Sequence, residues 1–190
     1  MLKFRWIRAA VLAVGVGGLV AACGSSSSSS STTASSTSSS SATPTISATS
    51  FTNNFSAMAS LASLAKAGHG KIAAILPDTT SSTRYVEFDA PYLKQAAAKA
   101  GLPSSDMIVQ NALGSDSTFV TDAQSDITNG ATVLLIDPED SGTGVTVQRY
   151  AKAHGVAVVD YDRLTLGAPA GTANYVSFNN VRVGQLIGTG

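Results

Sequence analysis

Lys71-Ile72-Ala73-Ala74-Ile75-Leu76 is a nearly continuous apolar run that breaks at Pro77 into a string of polar residues, Asp78 to Tyr85. A strand with one wet face alternates polar and apolar side chains, whereas one without a polar side is covered on both faces, as in the middle of a parallel sheet. The pattern recurs at Asp106 to Gln110, at Thr132 to Ile136, at Val156 to Val159 and at Asn174 to Phe178. Helical signals lie between these runs. Asp89 with Pro91 behind it predicts a helix start leading through Leu93, Ala97 and Ala100 to Gly101. Phe119, Ala123 and Ile127 predict a second helix that stops at Gly130, and Ser141 to His154 a third that Gly155 ends. Asn179 or Asn180 is placed to cap a last helix through Val183, Leu186 and Ile187. Alternation of this kind predicts an α/β fold with right-handed crossovers and a doubly wound parallel sheet over residues 71–190.

Ahead of the sheet the chain changes character three times. Lys3, Arg5 and Arg8 precede an uncharged apolar stretch, Ala9 to Ala22, that closes on Val20-Ala21-Ala22-Cys23-Gly24. A basic start, an apolar region of about 7–15 residues and small residues before a cut describe an export signal over residues 1–22. The run is shorter than the ~20 residues of a membrane-spanning helix. Val20-Ala21-Ala22-Cys23, with Gly24 behind it, resembles the bacterial lipobox, and that resemblance implies a diacylglycerol on the thiol of Cys23 and a protein anchored outside the cytoplasm, in the periplasm or on the outer face of the cell membrane. An ordinary secretory signal with an incidental cysteine is the alternative. Cleavage removes Lys3, Arg5 and Arg8 and no acid, so the mature chain is mildly acidic. Residues 23–50 are dominated by Ser, Thr and Ala, a composition expected to form a flexible tether. Over residues 51–70, Phe51, Phe55, Met58, Leu61 and Leu64 recur at helical spacing, which predicts a short amphipathic helix docked on the domain, or else one that meets a partner or a membrane.

The composition excludes several functions. Twelve basic residues balance twelve acidic ones, without the cationic footprint that nucleic acid requires, so no nucleic-acid partner is expected. One cysteine and two distant histidines, His69 and His154, make no metal or disulfide framework. Gly142 and Gly144 follow the third strand and lack the rest of a dinucleotide fingerprint, and neither histidine stands at a strand's carboxyl end. No enzyme activity, cofactor or metal is expected.

Ligands of an open parallel sheet bind beyond the carboxyl ends of its strands. Those segments are polar here: Asp78 to Tyr85, Asn111, Ser115 to Ser117, Asp137 to Asp140, Asp160 to Arg163, and Asn179 with Asn180. Carboxylate and amide oxygens accept from hydroxyls, arginine donates in a planar fork, and an aromatic ring covers the C–H face of a pyranose. Such a rim suits a monosaccharide, and other small polyols or nucleosides also fit it.

The order of Arg84-Tyr85, Asn111-Ala112-Leu113-Gly114, Ile136-Asp137-Pro138, Tyr161-Asp162-Arg163 and Ser177-Phe178-Asn179-Asn180-Val181-x-Val183-Gly184 resembles the N-terminal lobe of type I periplasmic sugar-binding proteins of ABC importers, above all the xylose-binding members. The resemblance covers residues 71–190. It implies that Arg84 and Arg163 donate to sugar oxygens, that Asp162 accepts from a hydroxyl, that Tyr85 stacks, and that Asn179 and Asn180 bond the sugar from the end of the last strand. Asn179 stands where the family commonly has an aspartate, which changes an acceptor into a mixed group and bears on which sugar is taken. The implied function is capture of a monosaccharide, a pentose such as xylose, and delivery to the permease subunits of an ABC importer. A receptor of the same fold that passes its ligand-bound form to a signalling partner is the alternative. Members of this family clamp the sugar between two lobes, so a chain ending at Gly190 is expected to be an incomplete lobe that binds sugar weakly by itself.

Each residue also has a plainer reading. Asp162 and Arg163 can form a surface ion pair, Arg84 can be a solvated loop cation, and Tyr85 can open the apolar face of its helix. Asp137 before Pro138 reads as a turn former, and His154 as a cation at a helix end.

Overall fold

The computed structural model describes residues 45–190. Residues 1–44, which hold the expected export signal, Cys23 and most of the Ser/Thr tether, lie outside the described residues.

Five parallel strands, β1 (Lys71–Leu76), β2 (Met107–Asn111), β3 (Ala131–Ile136), β4 (Ala157–Tyr161) and β5 (Asn174–Val176), stand in the order β2-β1-β3-β4-β5. The chain leaves β1 toward one edge to form β2 and then returns across β1 to place β3 on its other side. The point where the direction reverses therefore lies between β1 and β3. Helices α2 (Ala90–Lys99), α3 (Asp116–Thr128) and α4 (Ser141–Ala153) supply the crossovers, and α5 (Asn180–Thr189) follows β5.

The unbroken apolar character of β1 has its cause in two packed layers. Ala73 and Ile75 join Leu134, Ile136 and Val158 under Phe119 and Ala123 of α3 and Val147 and Ala151 of α4. Ala74 and Ile72 turn the other way, to Ala97 and Leu93 of α2. Phe119 is fully buried, and burial of such a side chain contributes about 1.5–3 kcal/mol. The helix ends follow local chemistry. Ser115 Oγ accepts from the Thr118 N–H at 3.2 Å to start α3, and Asp140 accepts from the N–H groups of Gly142 and Thr143 to start α4. At the end of α4, Nδ1 of His154 donates to the Tyr150 carbonyl at 2.8 Å.

Several boundaries depart from the sequence pattern. Asp89 does not cap a helix: it has helical dihedrals and no capping bond, and a widened turn over Tyr85–Asp89 runs directly into α2. Pro91 gives the reason, since it has no N–H for a carbonyl one turn back and crowds that carbonyl, and a π-type turn absorbs the mismatch. β4 runs two residues further than expected, to Tyr161, and β5 is only three residues long. The segment 51–70 is not one amphipathic helix. It is a tight 3-10 stretch, Ser56–Leu61, followed by α1 (Ala62–Ala67), with Phe51 exposed outside both. Phe55 enters it at φ 58° and meets Tyr92 of α2 edge-on, ring centroids 5.5 Å apart. Between this segment and α2, at the amino ends of the strands, lies an apolar cavity of about 470 Å³ lined by Met58, Leu61, Leu93 and Leu135 among others. Asn179 caps α5, accepting from the Arg182 N–H at 2.9 Å, and no residue of α5 is buried.

Candidate functional site

At the carboxyl end of the sheet, the reversal between β1 and β3 brings together side chains from three elements. Arg84 and Tyr85 open the widened turn ahead of α2, Asp137 directly follows β3, and Asp162 and Arg163 follow β4. The Asp137 N–H donates to the Ile75 carbonyl at 3.1 Å, which ties the end of β3 to β1 beneath the two arginines.

Arg84 spans two carboxylates. Its Nη2 donates to Asp162 Oδ2 at 2.6 Å, and its Nε lies 2.9 Å from Asp89 Oδ2. The second contact is off the hydrogen-bonding line, so it is an ion pair without a directed bond. Burial weighs against the Arg84 charge, but the Asp162 bond and the Asp89 charge outweigh it and hold the guanidinium protonated beyond its usual range. Arg163 donates from Nη1 to Glu139 at 3.0 Å and to the Pro138 carbonyl at 3.2 Å, and from Nη2 to the Tyr85 hydroxyl at 3.1 Å. Its Nε is 3.4 Å from Asp137 Oδ1.

Tyr85 is buried between the two cations, its ring centroid 4.9 Å from the Arg84 guanidinium carbon and 5.9 Å from that of Arg163. Its contribution here is to support the arginines, because the ring presents no open face to a ligand. Burial, followed by the Asp137 charge, raises the Tyr85 phenol above its ordinary pKa. Asp162 adopts φ 68°, its N–H donates to the Val176 carbonyl at 2.9 Å, and its own carbonyl accepts from the Tyr175 hydroxyl at 3.1 Å. β5 thus fixes the loop that points Asp162 at Arg84.

Asp137 is not merely a turn former. It is fully buried, and neither of its oxygens has a hydrogen-bond partner. Burial raises its pKa to about 7; Arg163 and Arg84 oppose the rise, while Asp162 and Asp89 add to it. The spacing before Pro91 predicts a cap at Asp89, yet Asp89 accepts from the Tyr161 hydroxyl at 3.0 Å and faces Arg84. Asp78 serves its own loop: Ser81 and Thr80 donate to its carboxylate and hold its pKa well below the usual range.

The structure brings four of the expected site residues together, Arg84, Tyr85, Asp162 and Arg163. It adds Asp137 and Asp89. Asn179 and Asn180 stay exposed at the head of α5, where Asn179 spends its amide oxygen on the cap and Asn180 donates to the Phe178 carbonyl at 3.4 Å. The arrangement offers paired guanidinium donors and carboxylate acceptors within one crevice, the complement of a polyhydroxyl ligand. Among the described residues, no group of three or more His, Cys, Asp or Glu side chains is arranged to hold a metal ion.

A sequence model of the periplasmic binding protein domain matches residues 72–189. The chain belongs to that family. The D-xylose-binding periplasmic protein of Escherichia coli (strain K12) is 33% identical to this periplasmic binding protein over 88 residues, which are 46% of this chain and 26% of the relative. Two solved structures match it at 26% identity. One is a carbohydrate transporter solute-binding protein from Chloroflexus aurantiacus in complex with D-glucose, with a TM-score of 0.52 over 60% of this chain and 32% of that one. The other is the Caulobacter myo-inositol binding protein bound to myo-inositol, with a TM-score of 0.53 over 63% and 38%. The chain spans about a quarter of the length of the curated relatives it matches.

Proposed function

We propose that this periplasmic binding protein captures a monosaccharide outside the cytoplasm and delivers it to the permease subunits of an ABC importer, with a pentose such as xylose as the first ligand to test. The observation that carries the reading is the convergence of Arg84 and Arg163 with Asp162 at the point where the sheet reverses direction. Open α/β sheets bind their ligands at this point. A sugar offers both donors and acceptors, and this crevice holds both complements. The E. coli relative is named for D-xylose, and the two solved neighbours hold D-glucose and myo-inositol, all neutral polyols of similar size. In this reading Arg84 and Arg163 donate to ring and hydroxyl oxygens, Asp162 accepts from a hydroxyl, Tyr85 supports both arginines, and Asn179 and Asn180 reach the ligand from α5. The residues before the sheet belong to the same reading: an export signal over 1–22, a diacylglycerol on Cys23, and a tether to about residue 50. No helix among the described residues is long and apolar enough to cross a membrane.

The test is an NMR titration of the purified protein with D-xylose, D-glucose and myo-inositol. Saturable shifts at Arg84, Asp162 and Arg163 are expected, strongest with xylose. Shifts scattered over the surface, or none with any of the three, refute the reading. Mass spectrometry of the protein from its own membrane tests the anchor, which the substitution Cys23→Ser should abolish.

A further inference from the structure

Of the four carboxylates around the two arginines, Asp137 is the one with neither oxygen hydrogen-bonded. Both of its oxygens are shielded from solvent and accept no hydrogen bond. The charges around it face it from every side. Arg84 Nη2 stands 3.9 Å away and Arg163 Nε 3.4 Å away. Asp89 from the turn before α2 and Asp162 from the loop after β4 share those same guanidinium groups, and Glu139, two residues along from Asp137, takes the outer edge of Arg163. Tyr85 lies between the arginines and bonds Arg163, Tyr161 is turned to Asp89, and Asp78 is engaged by its own loop. Two cations are therefore shared among four carboxylates, and the one farthest from water is also the one with the longest contacts. An isolated buried charge is costly, so this is the member of the set that gives up its charge first.

The consequence lies in the arginines. An ionised Asp137 pulls both guanidinium groups toward the ends of β1 and β3, and a restrained donor costs less to order around a ligand. A protonated Asp137 releases that pull and leaves Arg84 to Asp89 and Asp162 and Arg163 to Glu139. We propose that Asp137 is a positioning residue for Arg84 and Arg163, and that the site binds a neutral polyhydroxyl ligand more tightly with Asp137 ionised than with it protonated. This rests on the sugar-binding reading above and adds a regulation to the same site. Its raised pKa, about 7, puts the change between mildly acidic and mildly basic conditions. Neutral sugars do not titrate there, so any dependence belongs to the protein. By linkage, tighter binding to the ionised form lowers the Asp137 pKa in the complex, and a proton is released on binding.

The test is the same titration at about pH 5.5, 7 and 8.5, with the protein and its Asp137→Asn variant and with D-xylose, D-glucose and myo-inositol as probes. In the parent, the Kd should fall about three- to tenfold from the lowest to the highest pH; tenfold corresponds to ~1 unit of pKa displacement on binding. The variant should show a flat profile with an affinity no better than the parent's at low pH. A merely structural aspartate would shift the affinity without bending the profile. A parent whose Kd is constant across the range, or a variant that keeps the parent's slope, overturns the proposal and leaves the sugar-binding reading standing. No binding of any probe at any pH overturns both. Should Asp137→Asn fail to fold, the carboxyl carbon resonance of Asp137 in the parent decides: a midpoint that moves down on adding the sugar supports the proposal, and an unmoved midpoint overturns it.

Discussion

Replacing Gly144 by alanine should destabilise the domain by about 2–4 kcal/mol, although it puts a better helix former into α4. A Cβ at this position falls inside contact distance of Thr165 Oγ1 and comes within 2.8 Å of Thr165 Cγ2 and 3.0 Å of Pro138 Cγ. Thr165 cannot step aside freely. Its N–H donates to Asp160 Oδ2 at 2.9 Å and its hydroxyl to Asp160 Oδ1 at 3.0 Å, and both residues are buried. Overpacking of this kind costs about 1–3 kcal/mol, and weakened bonds to a buried carboxylate add roughly 1.5–3 kcal/mol. The gain in helix propensity returns at most about 1 kcal/mol. Gly184 in α5 is the control, because a Cβ there meets nothing within 4 Å, and Gly184→Ala should be neutral or stabilising by up to ~1 kcal/mol. Urea unfolding of the parent and both variants measures the difference directly. A Gly144→Ala protein as stable as the parent would show that the loop after β4 yields without loss, and the close approach of α4 to that loop would then not hold Arg163 in place.

Other outcomes follow from the charges and the core. Stability should fall as pH rises from about 5 to 8, because the folded-state pKa of Asp137, about 7, lies above the ordinary carboxylate value; its contribution is full below the unfolded pKa and is lost through the folded one, roughly 2–3 kcal/mol over that interval. Asp126, raised to about 6 by burial and the neighbouring Asp122, acts in the same sense, so Asp137→Asn should remove part of the slope in urea unfolding at several pH values and leave the rest. Arg84→Lys should weaken sugar binding at least tenfold, since one ammonium cannot serve Asp89 and Asp162 together and still present a donor fork; an unchanged Kd would remove Arg84 from the site. Phe119→Ala should cost about 3–5 kcal/mol, read by the same unfolding assay.

The architecture is legible in the chain because β1 and β3 are nearly continuous apolar runs and Gly130 and Gly155 close their helices with positive φ. The meeting of Arg84, Tyr85, Asp162 and Arg163 is legible as well, because all four follow strands at the same end of the sheet. Local rules predict a turn former at Asp137 and a helix cap at Asp89, and in both residues a tertiary contact overrides the local rule. Asp137 is buried where its N–H extends the β1–β3 pairing to the Ile75 carbonyl, and Asp89 turns inward because the chain widens ahead of Pro91. The bond that places Asp137 comes from β1, far away in sequence, and Pro91, two residues after Asp89, reads equally well as an ordinary first-turn proline. The segment 51–70 shows the reverse error: its apolar spacing fits a helix, but a stretch this short is marginal as an α-helix unless packing holds it, and Phe55 enters at positive φ to meet Tyr92 instead.

β5 is three exposed residues at the edge of the sheet, yet it holds Asp162 at both its N–H and its carbonyl. The shortest ion pair of the site is thereby tethered to an exposed edge strand. Fraying at that edge reaches Asp162 through two hydrogen bonds and Arg84 through a third, so hydrogen exchange at the Asp162 amide reads out, from a single resonance, how often the binding crevice loses its shape.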